Sequence, residues 1–218
     1  MSALAIRRGS LGCSLAFATL CFGVVAMAAD PGSVADATPP DLRIPSGARP
    51  LHYDVTLTVT PGGADVAGNA AIDIELDRPH PILWLNAVGL SIAEVGVDVT
   101  GTRARVVANR DQFLGLAFDP PLPAGRHRVT LAYRAPQNRN SSRGIFTLQD
   151  GDAWYTMTHF EPMAARQAFP CFDEPGFKVP WQLTLRVPRE LVAVANTPVI
   201  AETAVDDKDK IVRFGDRD

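Results

Sequence analysis

The chain has 218 residues, of which 46% are hydrophobic and 21% charged. That is the make-up of one or two globular domains able to bury a core, and it excludes a disordered polymer. The formal net charge of −3 argues against a nucleic-acid partner.

Arg7 and Arg8 precede an apolar run at 11–25 that closes on Ala26-Met27-Ala28, the layout of an export signal over residues 1–28. Gly9 and Ser10 follow the arginine pair where a twin-arginine signal usually carries bulky apolar residues, so the pair reads as an ordinary charged leader. The run is too short and too broken by Gly, Ser and Cys to span a bilayer, which needs about 20 apolar residues. No later stretch approaches that length, so an exported protein, periplasmic or secreted, with no retained membrane anchor is expected. Loss of Arg7 and Arg8 takes the net charge to −5, and loss of Cys13 and Cys21 leaves Cys171 as the sole thiol. With no internal disulfide, stability must come from the core.

Residues 29–41, rich in Pro, Ala, Asp and Ser without a hydrophobic period, read as a flexible linker, and the folded part is expected from 42 to 218. There the dominant period is two. Tyr53, Val55, Leu57 and Val59 alternate with Asp54, Thr56, Thr58 and Thr60, predicting a strand with one buried face that ends at Pro61-Gly62-Gly63. Ile72, Ile74 and Leu76 repeat the pattern, 82–85 forms an apolar run flanked by prolines, and Val95, Val97 and Val99 follow. Further strands are predicted at 127–133, 153–158, 181–187, 191–195 and 211–214, with turns near 123–125, 150–152 and 206–210.

No stretch after the leader keeps apolar residues at helical spacing for three turns, so helices are expected to be few and short, one of them around 163–167. Short strands at regular spacing predict an all-β, mostly antiparallel sandwich or saddle. The terminal GDRD follows Phe214 with no turn chemistry to close the last strand, which reads as an incomplete C-terminal end.

Between Trp154 and Trp181 the composition changes. His159, Glu161, Arg166, Asp173, Glu174 and Lys178 crowd among Phe, Pro and Ala, and charges set among aromatics need partners. The plain structural reading is a loop with an ion pair from Arg166 to Asp173 or Glu174 and with Phe160, Phe169 and Phe172 in the core. A zinc-deaminase reading of His159-Phe160-Glu161 before Pro170-Cys171 fails, because Glu174 stands where a second cysteine ligand is required. A complete zinc peptidase would need H-E-x-x-H, and His52, His80, His127 and His159 are widely spaced and never followed by Glu. Each reads as a surface or hydrogen-bonded histidine.

The string HFEPMAARQAFPCFDEPGFK at 159–178 is similar to the Q-x-E-x-x-x-A-R-x-x-F-P-C-F-D-E-P-x-x-K pattern of the aminopeptidase N family of zinc exopeptidases. Upstream, Pro50-Leu51-His52-Tyr53-Asp54 resembles the P-x-H-Y-D that opens that family's first strand. The resemblance runs from about 42 to the C-terminus and implies the family's saddle-shaped N-terminal β domain, recorded here without the catalytic domain. It implies that Glu161 helps bind the free α-ammonium of a peptide substrate. His159, where the family usually has Gln, supplies a second acceptor when its imidazole is neutral and repels the ammonium when protonated. Arg166, Asp173 and Glu174 carry over as residues that fix the segment. The family's zinc ligands and transition-state tyrosine belong to a later domain, so no cofactor is expected in this chain and zinc only in a full-length enzyme. The expected partners are a peptide N-terminus and the missing catalytic domain. The competing class is a stand-alone exported β module that binds peptide N-termini or a protein.

Overall fold

The computed structural model describes residues 37–216. The expected leader, and the linker apart from 37–41, lie outside the described residues. Twelve strands follow in chain order: β1 (Ala48–Thr58), β2 (Asp65–Leu76), β3 (His80–Asn86), β4 (Ser91–Val97), β5 (Arg103–Arg110), β6 (Phe113–Leu122), β7 (Gly125–Pro136), β8 (Gly144–Asp150), β9 (Ala153–His159), β10 (Trp181–Pro188), β11 (Val199–Ala204) and β12 (Asp209–Phe214). The fold is all-β. Among the described residues no helix is long and apolar enough to cross a membrane.

Seven strands form one mixed sheet in the order β11-β12-β10-β1-β2-β7-β4, three form a second sheet in the order β3-β6-β5, and β8 and β9 form a hairpin. Alternation decides which faces meet. Tyr53, Val55 and Leu57 of β1, Ile72 and Ile74 of β2, and Val129, Leu131 and Tyr133 of β7 point inward and are buried. They pack against Leu83, Leu85, Leu114 and Leu116 of the smaller sheet in one continuous core. The opposite face of the large sheet is polar, and there the Arg128 guanidinium bridges the carboxylates of Asp54 and Asp73. Burial opposes charge on Arg128, but those two carboxylates outweigh it and raise its pKa further.

Among the described residues all the pairings between these strands are antiparallel but one. β10 returns parallel to β1, with Tyr53 opposite Trp181 and Thr58 opposite Arg186. A parallel return needs a long crossover, and the crossover between β9 and β10 is the segment that carries the 159–178 string. The crossover therefore begins at the end of the hairpin and ends beside the first strand of the core.

Four expectations are corrected. The helix expected around 163–167 is a single 3-10 turn, Ala165–Gln167, because Pro162 and Pro170 bracket too few residues for a helical ladder. The strand expected at 191–195 makes no ladder among the described residues, and Val192 and Val194 stand 86% and 82% exposed. The turn expected at 206–210 is shorter, since β12 already begins at Asp209. Its reversal is fixed by the Asp206 carboxylate, which accepts the N–H groups of Lys208 and Asp209 at 2.8 Å each. Those bonds lower the pKa of Asp206. Finally, strands β5, β6, β8 and β11 exist where none was predicted.

Candidate functional site

The crossover is built as a polar clamp inside an aromatic cluster. Arg166 is 7% exposed. Its Nε donates to Asp173 Oδ2 at 2.8 Å, its Nη2 to the Asp173 carbonyl at 2.8 Å, and its Nη1 to Gln112 Oε1 at 3.1 Å. The backbone N–H of Arg166 reaches the same Asp173 oxygen at 3.3 Å, and its carbonyl accepts the N–H of Val88 at 2.8 Å. A guanidinium with its donors so placed can be buried without an unpaired charge.

Glu174 does not join that pair. Its Oε1 accepts the backbone N–H of Ile44 at 2.7 Å and so ties down the stretch before β1.

Three further residues, absent from the sequence-based set, hold the other side of the crossover. Asn86, at the end of β3, exchanges backbone hydrogen bonds with Cys171 at 2.7 and 3.1 Å, and its Oδ1 accepts the N–H of Asp173 at 3.0 Å. The Tyr53 hydroxyl accepts the N–H of Phe172 at 2.9 Å. Gln112 stands in a tight reversal, with φ of +54° at Asp111 and +71° at Gln112. The only sequence signal for Asn86 is a polar residue closing a buried apolar run, and none marks Gln112.

Phe169 is the centre of the aromatic cluster. It stacks on Trp181 with ring centroids 6.3 Å apart and meets Tyr53 and Phe160 edge-on at 6.1 and 5.8 Å. These rings line a cavity of about 220 Å³ that also touches Cys171 and Asp173. Burial raises the pKa of the Tyr53 hydroxyl and of the Cys171 thiol, and the Asp173 carboxylate pushes the thiol the same way. Cys171 is therefore an inert core thiol and not a nucleophile.

His159 and Glu161 lie at the solvent edge of this construction. His159 is the last residue of β9, paired with Gly144, and Glu161 is the second residue after it. Both are exposed. The polar contacts of the crossover fall on its later residues, so these two leave the hairpin exposed, on backbone held at both ends. On one side is the β8–β9 ladder, and on the other is the 3-10 turn, whose Ala164 N–H bonds the Phe160 carbonyl at 2.7 Å. Gly144 permits the junction. Its φ is +70°, and a Cβ there would lie 2.7 Å from Cβ of Gln167.

The other histidines are scattered. His127 Nε2 lies 2.8 Å from the Pro123 carbonyl, His80 faces Asp77, and His52 lies between Asp54 and Asp216. Among the described residues no group of three or more His, Cys, Asp or Glu stands close enough to hold a metal ion.

The clamped crossover, with His159 and Glu161 exposed at its edge, is the candidate site of this all-β domain. The model of the family described as Peptidase M1 N-terminal domain matches residues 49–217, and the chain belongs to that family. It is similar to aminopeptidase M1-C of Oryza sativa subsp. japonica, 32% identical over 184 residues that make up 82% of this chain and 21% of that protein. It is 31% identical over 182 residues to the puromycin-sensitive aminopeptidase of Caenorhabditis elegans, covering 79% of this chain and 19% of the relative. It is 28% identical over 178 residues to aminopeptidase N of Acetobacter pasteurianus, covering 79% of this chain and 50% of the relative. The chain thus spans about a fifth of the length of the plant and animal relatives and half that of the bacterial one.

Proposed function

We propose that this chain is the N-terminal domain of an exported, zinc-dependent aminopeptidase. In this reading it gives the active site one carboxylate, Glu161, that binds the free α-ammonium of a peptide substrate. The supporting observation is the placement of Glu161. It is exposed, two residues beyond an ordered hairpin, and ahead of a crossover locked by the Arg166–Asp173 pair, Asn86 and Tyr53.

A carboxylate carried on anchored backbone can make a charge-assisted hydrogen bond to an ammonium without reordering the segment that bears it. A fixed acceptor at a set distance from a reaction centre measures out one residue from a free N-terminus, which is the geometry exopeptidase specificity needs. His159, on the same edge, adds a neutral acceptor when its imidazole is unprotonated. Zinc and the bond-breaking groups belong to the catalytic domain of the longer family proteins, and that domain and a peptide N-terminus are the partners of this surface. The amine role predicts that Glu161→Ala, in a version carrying the catalytic domain, raises KM or lowers turnover on substrates with free N-termini. Unchanged kinetics would refute it.

A further inference from the structure

Phe160 points into the aromatic cluster, its ring edge-on to Phe169 at 5.8 Å. The residues on either side of it, His159 and Glu161, therefore project the other way, and both are exposed. Two residues of chain span at most about 7 Å, which is within the combined reach of an imidazole and a glutamate side chain.

The surroundings of His159 leave Glu161 as its counter-ion. Across the ladder it faces Gly144, which has no side chain. The 3-10 turn fills that space with a neutral group, since a Cβ on Gly144 would lie 2.7 Å from Cβ and 3.2 Å from Oε1 of Gln167. Two residues back on β9 stands Met157, paired with Phe146, and both are apolar. Of the charged residues on the neighbouring segments, Arg166 and Asp173 hold each other in the clamp and Glu174 holds the N–H of Ile44. Arg143, next to Gly144, is an exposed cation and cannot neutralise an imidazolium. The histidine ion pairs of the described residues fall on His52, His80 and His127.

We propose that His159 is a pH switch on the amine site: once protonated, its imidazolium pairs with Glu161 and takes the place of the substrate ammonium. The inference rests on the amine role of Glu161 and adds a regulator to it. A neutral imidazole leaves the carboxylate free and offers the ammonium a second acceptor. An imidazolium has two N–H donors and no acceptor, so it competes for Glu161 and repels the ammonium. Proton uptake and amine binding then exclude each other, and recognition of a free N-terminus fails as pH falls through the range in which imidazoles become charged. A glutamine at 159 would confer no such dependence, because an amide does not titrate.

The test uses a version carrying the catalytic domain, with inhibition constants measured at pH 5 and pH 7 for one short peptide and its des-amino analogue. The α-ammonium of the peptide stays largely charged over this range, and the ratio of the two constants removes any pH effect common to both ligands. In wild type the preference for the free amine is expected to be about 10-fold smaller at pH 5, a loss set by the fraction of sites whose imidazole remains neutral. His159→Gln should keep the preference at both pH values, and His159→Lys should lack it at both. Three results would overturn the switch and leave the amine role standing: a wild-type preference that is the same at pH 5 and pH 7, a preference that falls equally in His159→Gln, or a preference retained in His159→Lys. Absence of any preference in wild type at pH 7 would overturn both.

Discussion

The Tyr53 hydroxyl accepts the backbone N–H of Phe172 at 2.9 Å, across a sequence separation of 119 residues. That one bond joins the first strand of the domain to the crossover, and both groups are buried. Tyr53→Phe leaves the Phe172 N–H in an apolar surround without an acceptor. The expected cost is about 1–3 kcal/mol of unfolding free energy, measured by urea denaturation.

The Arg166–Asp173 pair predicts a larger effect. Arg166→Met keeps much of the packing volume but strands a half-buried carboxylate, which costs about 3–5 kcal/mol. Arg166→Lys should not rescue stability, because one ammonium cannot reach Asp173 Oδ2, the Asp173 carbonyl and Gln112 together. Recovery to wild-type stability in the lysine variant would show that only the charge matters.

Gly144 links the hairpin to the 3-10 turn. Gly144→Ala places a Cβ 2.7 Å from Cβ of Gln167 at a φ of +70°. A loss of about 1–3 kcal/mol is expected, with faster amide exchange in residues 144–150. An unchanged exchange pattern would contradict the role given to that junction.

The buried thiol and phenols set an alkaline limit. Cys171 has an ordinary value of 9.0 and Tyr53 and Tyr133 one of 10.0, and burial raises all three in the folded state. Above these ordinary values the unfolded chain releases protons that the folded chain keeps, so the unfolded state binds fewer protons and stability falls as pH rises. The stabilising effect is therefore fully present below pH 9. It declines from there by up to about 1.4 kcal/mol per pH unit for each group. Cys171→Ala should flatten the decline between pH 9 and 10 and leave the steeper decline above 10, as read from urea midpoints across that range.

The core strands were legible in the sequence because each buries one face: Tyr53, Val55 and Leu57, or Ile72 and Ile74, alternate with polar residues. β6 was hidden by Gly115, Pro120 and Pro121, residues that weaken a strand reading. Gly115 is accommodated because the Trp84 ring occupies the space of its missing side chain. β11 is exposed along its whole length and so shows no burial period. The alternation at 191–195 suggested a strand, yet the described residues provide no backbone to pair with it.

The crossover was legible by its composition, since buried charge among aromatics is rare. Its supports were not: Asn86, Gln112 and Tyr53 come from distant strands and turns, and nothing local in the sequence records a contact made across 54 to 119 residues.

The central claim, that Glu161 reads a substrate α-ammonium, is tested most directly in a version that carries the catalytic domain. Inhibition constants would be measured for one short peptide and for its des-amino analogue, against wild type and Glu161→Ala. The ratio of the two constants isolates the amine contact from any general loss of binding. The account predicts that wild type favours the free amine by about 10-fold to 150-fold, as a hydrogen bond to a charged group would give, and that most of this preference disappears in the variant. An undiminished preference in Glu161→Ala would contradict it.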